Sequence, residues 1–169
     1  RRRPRSPPLA RASEPQGAGE PVSAAAPRVV VVGLGPAGPE LITAAARQRG
    51  DAAPPESRFT RTDRHPSVAS LGAHTSFDHH YETAASVEDV YTAIVADLRA
   101  HAAAAAALGG EVVYAVPGSP LVAERTVELL RGAFGVDLVI ETGLSFLDLA
   151  WARLGVDPLA AGVRLVDGH

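Results

Sequence analysis

Residues 29–38 read VVVVGLGPAG: four valines run straight into Gly33-Leu34-Gly35-Pro36-Ala37-Gly38. Consecutive β-branched residues predict a buried strand, and the glycine loop that ends it permits a sharp turn. The spacing satisfies G-x-G-x-x-G, the pattern of dinucleotide sites, where backbone N–H groups face a pyrophosphate at a helix N-terminus. Two features count against that reading. The pattern requires a second strand ending in a ribose-binding acid, but here the weak strand 57–62 ends in Thr60-Arg61-Thr62, and Glu56 lies ahead of it. The following helix also opens Pro39-Glu40, placing an acid where a phosphate would sit. The pattern favours a tight turn serving another ligand, with a flavin or nicotinamide site as the alternative.

Outward from this loop, strand and helix alternate. Expected helices cover 39–49, 87–108, 121–134 and 145–155; expected strands cover 28–32, 57–62, 111–117 and 136–142, with VRLVD (163–167) starting another. In the longest helix Val87, Val90, Tyr91, Ile94, Val95 and Leu98 share a face, with Ser86 as N-cap and Gly109 as stop. The alternation implies an α/β fold with a mainly parallel sheet. Residues 1–27, rich in Arg, Pro, Ala and Gly, lack periodicity and read as a disordered leader.

Composition bounds the chemistry. The 169 residues are 46% hydrophobic with a net charge of −3 and no cysteine, so disulfides and thiolate chemistry are excluded. All 16 basic residues are arginine, which rules out a Schiff-base lysine. The acidic body argues against nucleic-acid binding, and no apolar run approaches the ~20 residues of a membrane span, so a cytoplasmic location is expected. Methionine is also absent, and the chain is expected to be a fragment.

Three loops at strand-to-helix junctions outline a pocket: the glycine loop, VPGSPLVAERT (116–126) and ETGLSF (141–146), where Ser145 is either a helix cap or a ligand contact. RTDRHP (61–66) sets two arginines and a histidine beyond a strand end, and reads equally as a ligand loop or a polar loop. HTSFDHH (74–80) matches no zinc spacing, and surface histidines explain it, so no metal is assigned. No nucleophile triad or carboxylate pair stands out, and no catalytic residue is assigned.

Set in order, these segments resemble a known family. GLGPAGPELIT (33–43) is similar to the opening of the tetrapyrrole (corrin/porphyrin) methylases. RTDRHP, SFDHHYE (76–82), VYTAIV (90–95), VYAVPGSPLVAERTVELL (113–130) and SFLDLAWARLGVDP (145–158) resemble the methylase-like domain that precedes some MazG-type nucleoside triphosphate pyrophosphohydrolases. The resemblance implies a first α/β lobe over 28–142, an incomplete second lobe over 143–169, and S-adenosyl-L-methionine in the cleft between them. It implies cofactor contacts from Gly35 and Pro36, from Gly118, Ser119 and Val122, and from Ser145 and Phe146. Ala37 stands where the family has glycine, and Gly118-Ser119-Pro120 replaces its Gly-Asp-Pro. The implied function is methyl transfer to a small-molecule substrate, with a fused or associated pyrophosphohydrolase domain as partner and a homodimer left open. A non-catalytic docking or sensing module of that hydrolase is the alternative.

Overall fold

The computed structural model describes residues 26–166. Nearly all of the expected leader therefore lies outside the described residues. Five strands form a sheet: β1 (Arg28–Gly33), β2 (Arg58–Thr60), β3 (Thr75–Ser76), β4 (Val112–Val116) and β5 (Asp137–Glu141). Their order is β3-β2-β4-β1-β5, every pair is parallel, and Val31 lies in register with both Tyr114 and Ile140.

The helices are α1 (Ala44–Ala52), α2 (Asp78–Thr83), α3 (Val87–Ala107), α4 (Arg125–Gly132) and α5 (Phe146–Leu154). Strand periodicity divides the valines of β1 between two cores. Val29 and Val31 join Val90, Ile94 and Leu98 of α3 with Val127 and Leu130 of α4, while Val30 and Val32 join Ala46 of α1 with Val68 and Leu71. The sheet is thus covered on both faces, as a parallel sheet requires. Val87, expected on the buried face of α3, is exposed.

Three expected elements differ. The helix expected over 39–49 is a 3-10 turn (Pro39–Leu41), an extended Ile42, and then α1 capped by Thr43, whose hydroxyl accepts from the Ala46 N–H at 3.2 Å. Helix α4 starts at Arg125 and not at 121, because Val122 N–H closes a turn on the Ser119 carbonyl (3.2 Å) and Ala123 adopts φ 54°. Residues 163–166 form no strand: they pair with none of the five, and Leu165 and Val166 are exposed. Conversely, HTSFDHH contains β3 and the start of α2, anchored by Phe77, which is buried and stacked on Phe59 with ring centroids 5.5 Å apart.

Candidate functional site

Parallel strands bring all their carboxyl ends to one edge, so the loops after β1, β2, β4 and β5 meet there. Glycine permits the contact. A Cβ on Gly33 would lie 2.5 Å from the Gly118 carbonyl oxygen and 2.9 Å from the Gly143 Cα. Gly35, at φ 72°, faces the Leu41 carbonyl and forms a two-hydrogen-bond bridge with Gly118, its N–H donating at 3.2 Å and its carbonyl accepting at 2.8 Å. The Thr43 hydroxyl donates to the Thr142 carbonyl (3.0 Å), and that of Ser67 to the Ala37 carbonyl (2.8 Å). Four loops are therefore tied into one rim.

The rim encloses a cavity of about 260 Å³. Pro36, Gly118, Ser119, Val122, Ser145 and Phe146 all line it, so the structure brings together residues spread over 110 positions of sequence. Gly35 stands behind the lining, in the bridge to Gly118. A larger cavity, about 280 Å³, lies at the opposite edge of the sheet. Its charged groups satisfy one another, Arg28 with Asp137 (2.7 Å) and Glu111 (3.7 Å), which leaves little for a ligand to bind.

The structure adds Arg61, His65, Pro117 and Ala123 to the lining. RTDRHP is therefore a cavity loop, the question its sequence leaves open. Burial pushes the His65 imidazole below its ordinary value, its contact with the Gly35 backbone opposes this, and the Arg61 charge adds to the lowering, so the ring is neutral at neutral pH. Ala123, a non-glycine residue in the left-handed region, holds a backbone costing about 1–2 kcal/mol at the cavity wall.

Beneath the cavity lies a network that local sequence does not mark. Arg61 Nη1 donates to Glu124 Oε2 at 2.7 Å, the Thr126 hydroxyl donates to Glu124 Oε1 at 2.5 Å, and Tyr114 Oη lies 3.2 Å from that hydroxyl. The Glu124 side chain is 1% exposed. Burial pushes its carboxyl up, while Arg61 and the Thr126 hydrogen bonds pull the other way. The partners Arg61 and Glu124 are 63 residues apart. The only sequence signal for Glu124 is a single acid interrupting the small and apolar run PLVA.

The histidines of HTSFDHH separate. His74 bonds Asp63 at 2.9 Å, whereas His80 bonds Asp97 of α3 at 2.8 Å. One ligand atom each from His79, His80 and Asp97 lies within 4.8 Å of the other two, a grouping that spans two helices and that spacing alone does not show.

The family model of the tetrapyrrole (corrin/porphyrin) methylases matches residues 28–166. The chain belongs to that family. The tetrapyrrole methylase fold also links it to solved structures: the Thermus thermophilus uroporphyrin-III C-methyltransferase (22% identity, 77% of this chain and 53% of that one, TM-score 0.52) and a cobalt precorrin-4 methyltransferase (20%, 77% and 51%, TM-score 0.52). Among curated proteins it is 36% identical over 147 residues to the uncharacterised YabN of Bacillus subtilis (strain 168). The chain spans 28% of the length of YabN and about half the length of those enzymes. The family match settles the glycine loop as well. A dinucleotide fold pairs β1 with β2, but here β4 lies between them, and α1 begins beyond Thr43 and not at the third glycine.

Proposed function

We propose that the cavity at the carboxyl edge binds S-adenosyl-L-methionine and that the protein transfers its methyl group to a small-molecule nucleophile. The observation that carries this reading is the convergence of Pro36, Ser119, Val122, Ser145 and Phe146 from three separate loops on one cavity. The residues fit the group. Pro36, Val122 and Phe146 offer apolar surface, Ser119 and Ser145 offer hydroxyls, and Arg61 offers donors suited to a carboxylate. At about 260 Å³ the cavity falls just below the ~300–1,000 Å³ usual for small-molecule sites, so it serves as one wall of a larger cleft. We assign residues 28–142 to a first lobe and residues from 143 onward to the start of a second.

When bound, the cofactor supplies an electrophilic methyl group on a sulfonium. The chain's residues then have three tasks: hold the cofactor, align the acceptor in line with the methyl, and exclude water. Rigid loops suit the first task, since Pro117 and Pro120 fix φ on either side of the Gly118 bridge. Neutral His65 also lines the cavity, where its Nδ1 accepts from the Ser67 N–H at 3.3 Å and so fixes the loop after β2 against the rim.

Resemblance of RTDRHP and the 113–130 segment to MazG-associated domains supports an associated nucleoside triphosphate pyrophosphohydrolase in the longer protein. Replacement of the family's Asp by Ser119 supports the second reading, a docking or sensing module that binds without turnover. Calorimetric titration with S-adenosylhomocysteine tests the first reading. Binding that weakens at least fivefold in Val122→Asp is expected, and absence of heat with the whole longer protein overturns it. Binding with no methylated product across candidate acceptors favours the module.

A further inference from the structure

Helix α2 has six residues and buries none of them, and a helix that short is not stable by itself in water. It must be held by its surroundings. Phe77, the residue before it, is buried and stacks on Phe59 of β2. Among the described residues, the side-chain hydrogen bond that joins α2 to α3 runs between His80 Nε2 and Asp97 Oδ2, at 2.8 Å. His79 stands beside this pair. Successive residues of a helix project about 100° apart, so neighbouring rings ordinarily diverge, yet the His79 and His80 ring centroids are 4.0 Å apart.

One donor atom from each of His79, His80 and Asp97 lies within 4.8 Å of the other two. Four-coordinate zinc, with bonds of about 2.0–2.2 Å to nitrogen and oxygen, sets its donors about 3.3 Å apart. The His80–Asp97 contact is already close to that span, and rotation of the exposed His79 side chain closes the rest. His80 is held before any ion arrives: its ring stacks on Phe77 with centroids 5.9 Å apart and planes 27° apart, and its side chain is 15% exposed. Such preorganisation lowers the ordering cost of binding. Asp97, with its side chain 43% exposed, leaves the group open to solvent and so to an ion. Two imidazoles and one carboxylate suit a transition-metal dication, whereas Mg²⁺ and Ca²⁺ prefer oxygen alone. The other histidine–acid pair, His74 with Asp63, has no second imidazole in such a group.

We propose that His79, His80 and Asp97 form a binding site for a divalent transition-metal ion of the zinc class, which clamps α2 onto α3 and keeps water in its remaining coordination position. The site does not depend on methyl transfer, and none of its three residues lines the cavity at the carboxyl edge. Binding replaces the His80–Asp97 hydrogen bond by one bond from each residue to the ion, and any proton carried by the imidazoles is released. The clamp reaches further through Asp78, the first residue of α2, whose carboxylate accepts from the Asp63 N–H at 2.8 Å. Fixing α2 thereby steadies the loop after β2, which brings Arg61 and His65 to the cavity lining.

The test titrates Zn²⁺ alone, calorimetrically and at neutral pH, into the full chain without an affinity tag and into His79→Ala, Asp97→Asn and, as control, His74→Ala. The wild type is expected to bind one equivalent, and both site variants to bind it at least tenfold more weakly, since loss even of a group that orients a ligand costs about 10–100-fold. His74→Ala should bind as the wild type does, and Mg²⁺ in place of Zn²⁺ should give no heat. The His79 side chain is exposed, so His79→Ala is expected to fold, with a metal-free thermal melt matching that of the wild type. Hydrogen exchange reads the clamp: with Zn²⁺ the amides of α2 should slow at least tenfold while those of β4 stay unchanged. If Zn²⁺ does not bind, or if His79→Ala and Asp97→Asn bind it as tightly as the wild type, the metal site is overturned. Zn²⁺ binding that depends on His79 and Asp97 but leaves α2 exchange unchanged overturns the clamp and leaves the metal site standing.

Discussion

Gly33 is where the smallest change has the largest consequence. An added Cβ meets backbone on two sides, the Gly118 carbonyl at 2.5 Å and the Gly143 Cα at 2.9 Å, and neither can rotate away. Gly33→Ala is therefore expected to destabilise by about 1–3 kcal/mol in urea titration and to open the cavity. Gly132, the last residue of α4, has nothing within 4 Å of its Cβ position. Gly132→Ala is expected to stabilise by about 0.4–1 kcal/mol in the same assay. His65 gives a pH signature. Its folded value is depressed by burial, so the folded state binds the proton less readily than the unfolded chain does. Its contribution to stability is present above the ordinary imidazole value and is lost as pH falls through the lowered one. Between about pH 7 and pH 5 the urea midpoint of the wild type should fall more steeply than that of His65→Gln. Equal slopes would remove His65 from this account. Glycine spacing marked Gly33 as special, but not that two other backbone segments converge on it, because contact between loops 85 and 110 residues away leaves no local pattern.

Helix boundaries are where local reading and tertiary structure part. At α5 they agree. Ser145 and Asp148 form a capping box, with the Leu147 N–H donating to the Ser145 hydroxyl at 3.2 Å and the Ser145 N–H to Asp148 at 2.6 Å. Of the two roles that the sequence allowed for Ser145 the cap is the one observed, and the same residue lines the cavity. Ser145→Ala should cost about 0.5–2 kcal/mol of stability, and Ser145→Asn, an equally good cap, should recover most of it. Recovery of stability without recovery of S-adenosylhomocysteine affinity would separate the two roles. At α1 and α4 the expected helices begin too early. Residues 39–43 and 121–124 have adequate helical propensity, but their backbones are spent on packing against Gly35 and on the turn at Ser119. Tertiary contact overrides propensity at both sites, and both sites border the cavity loops.

At the scale of the whole molecule, burial is concentrated in the middle of the sheet. Val29, Val30, Val31 and Tyr114 are inaccessible to solvent, whereas no residue of α5 is buried and Leu154 and Leu159 are largely exposed. Hydrogen exchange should therefore find the amides of β1 and β4 slowest, opening only with global unfolding, and those of 146–162 among the fastest. Equal protection in the two regions would contradict this distribution. The alternating α/β order and the burial of β1 were legible in the sequence, because hydrophobic period depends on neighbours a few residues apart. So were the three loops that rim the cavity, since motif loops lie at strand ends and parallel strands end at one edge; the resemblance to the family singled out Pro36, Gly118, Ser119, Val122, Ser145 and Phe146 within them. Strand order was not legible: whether β2 or β4 pairs with β1 depends on where a crossover returns, and that order separates this fold from a dinucleotide fold carrying the same GLGPAG. The pairing of Arg61 with Glu124, of His80 with Asp97, and the closure of Gly33 on Gly143 were likewise settled only by the tertiary structure, because each joins residues whose separation in the chain carries no periodic signal.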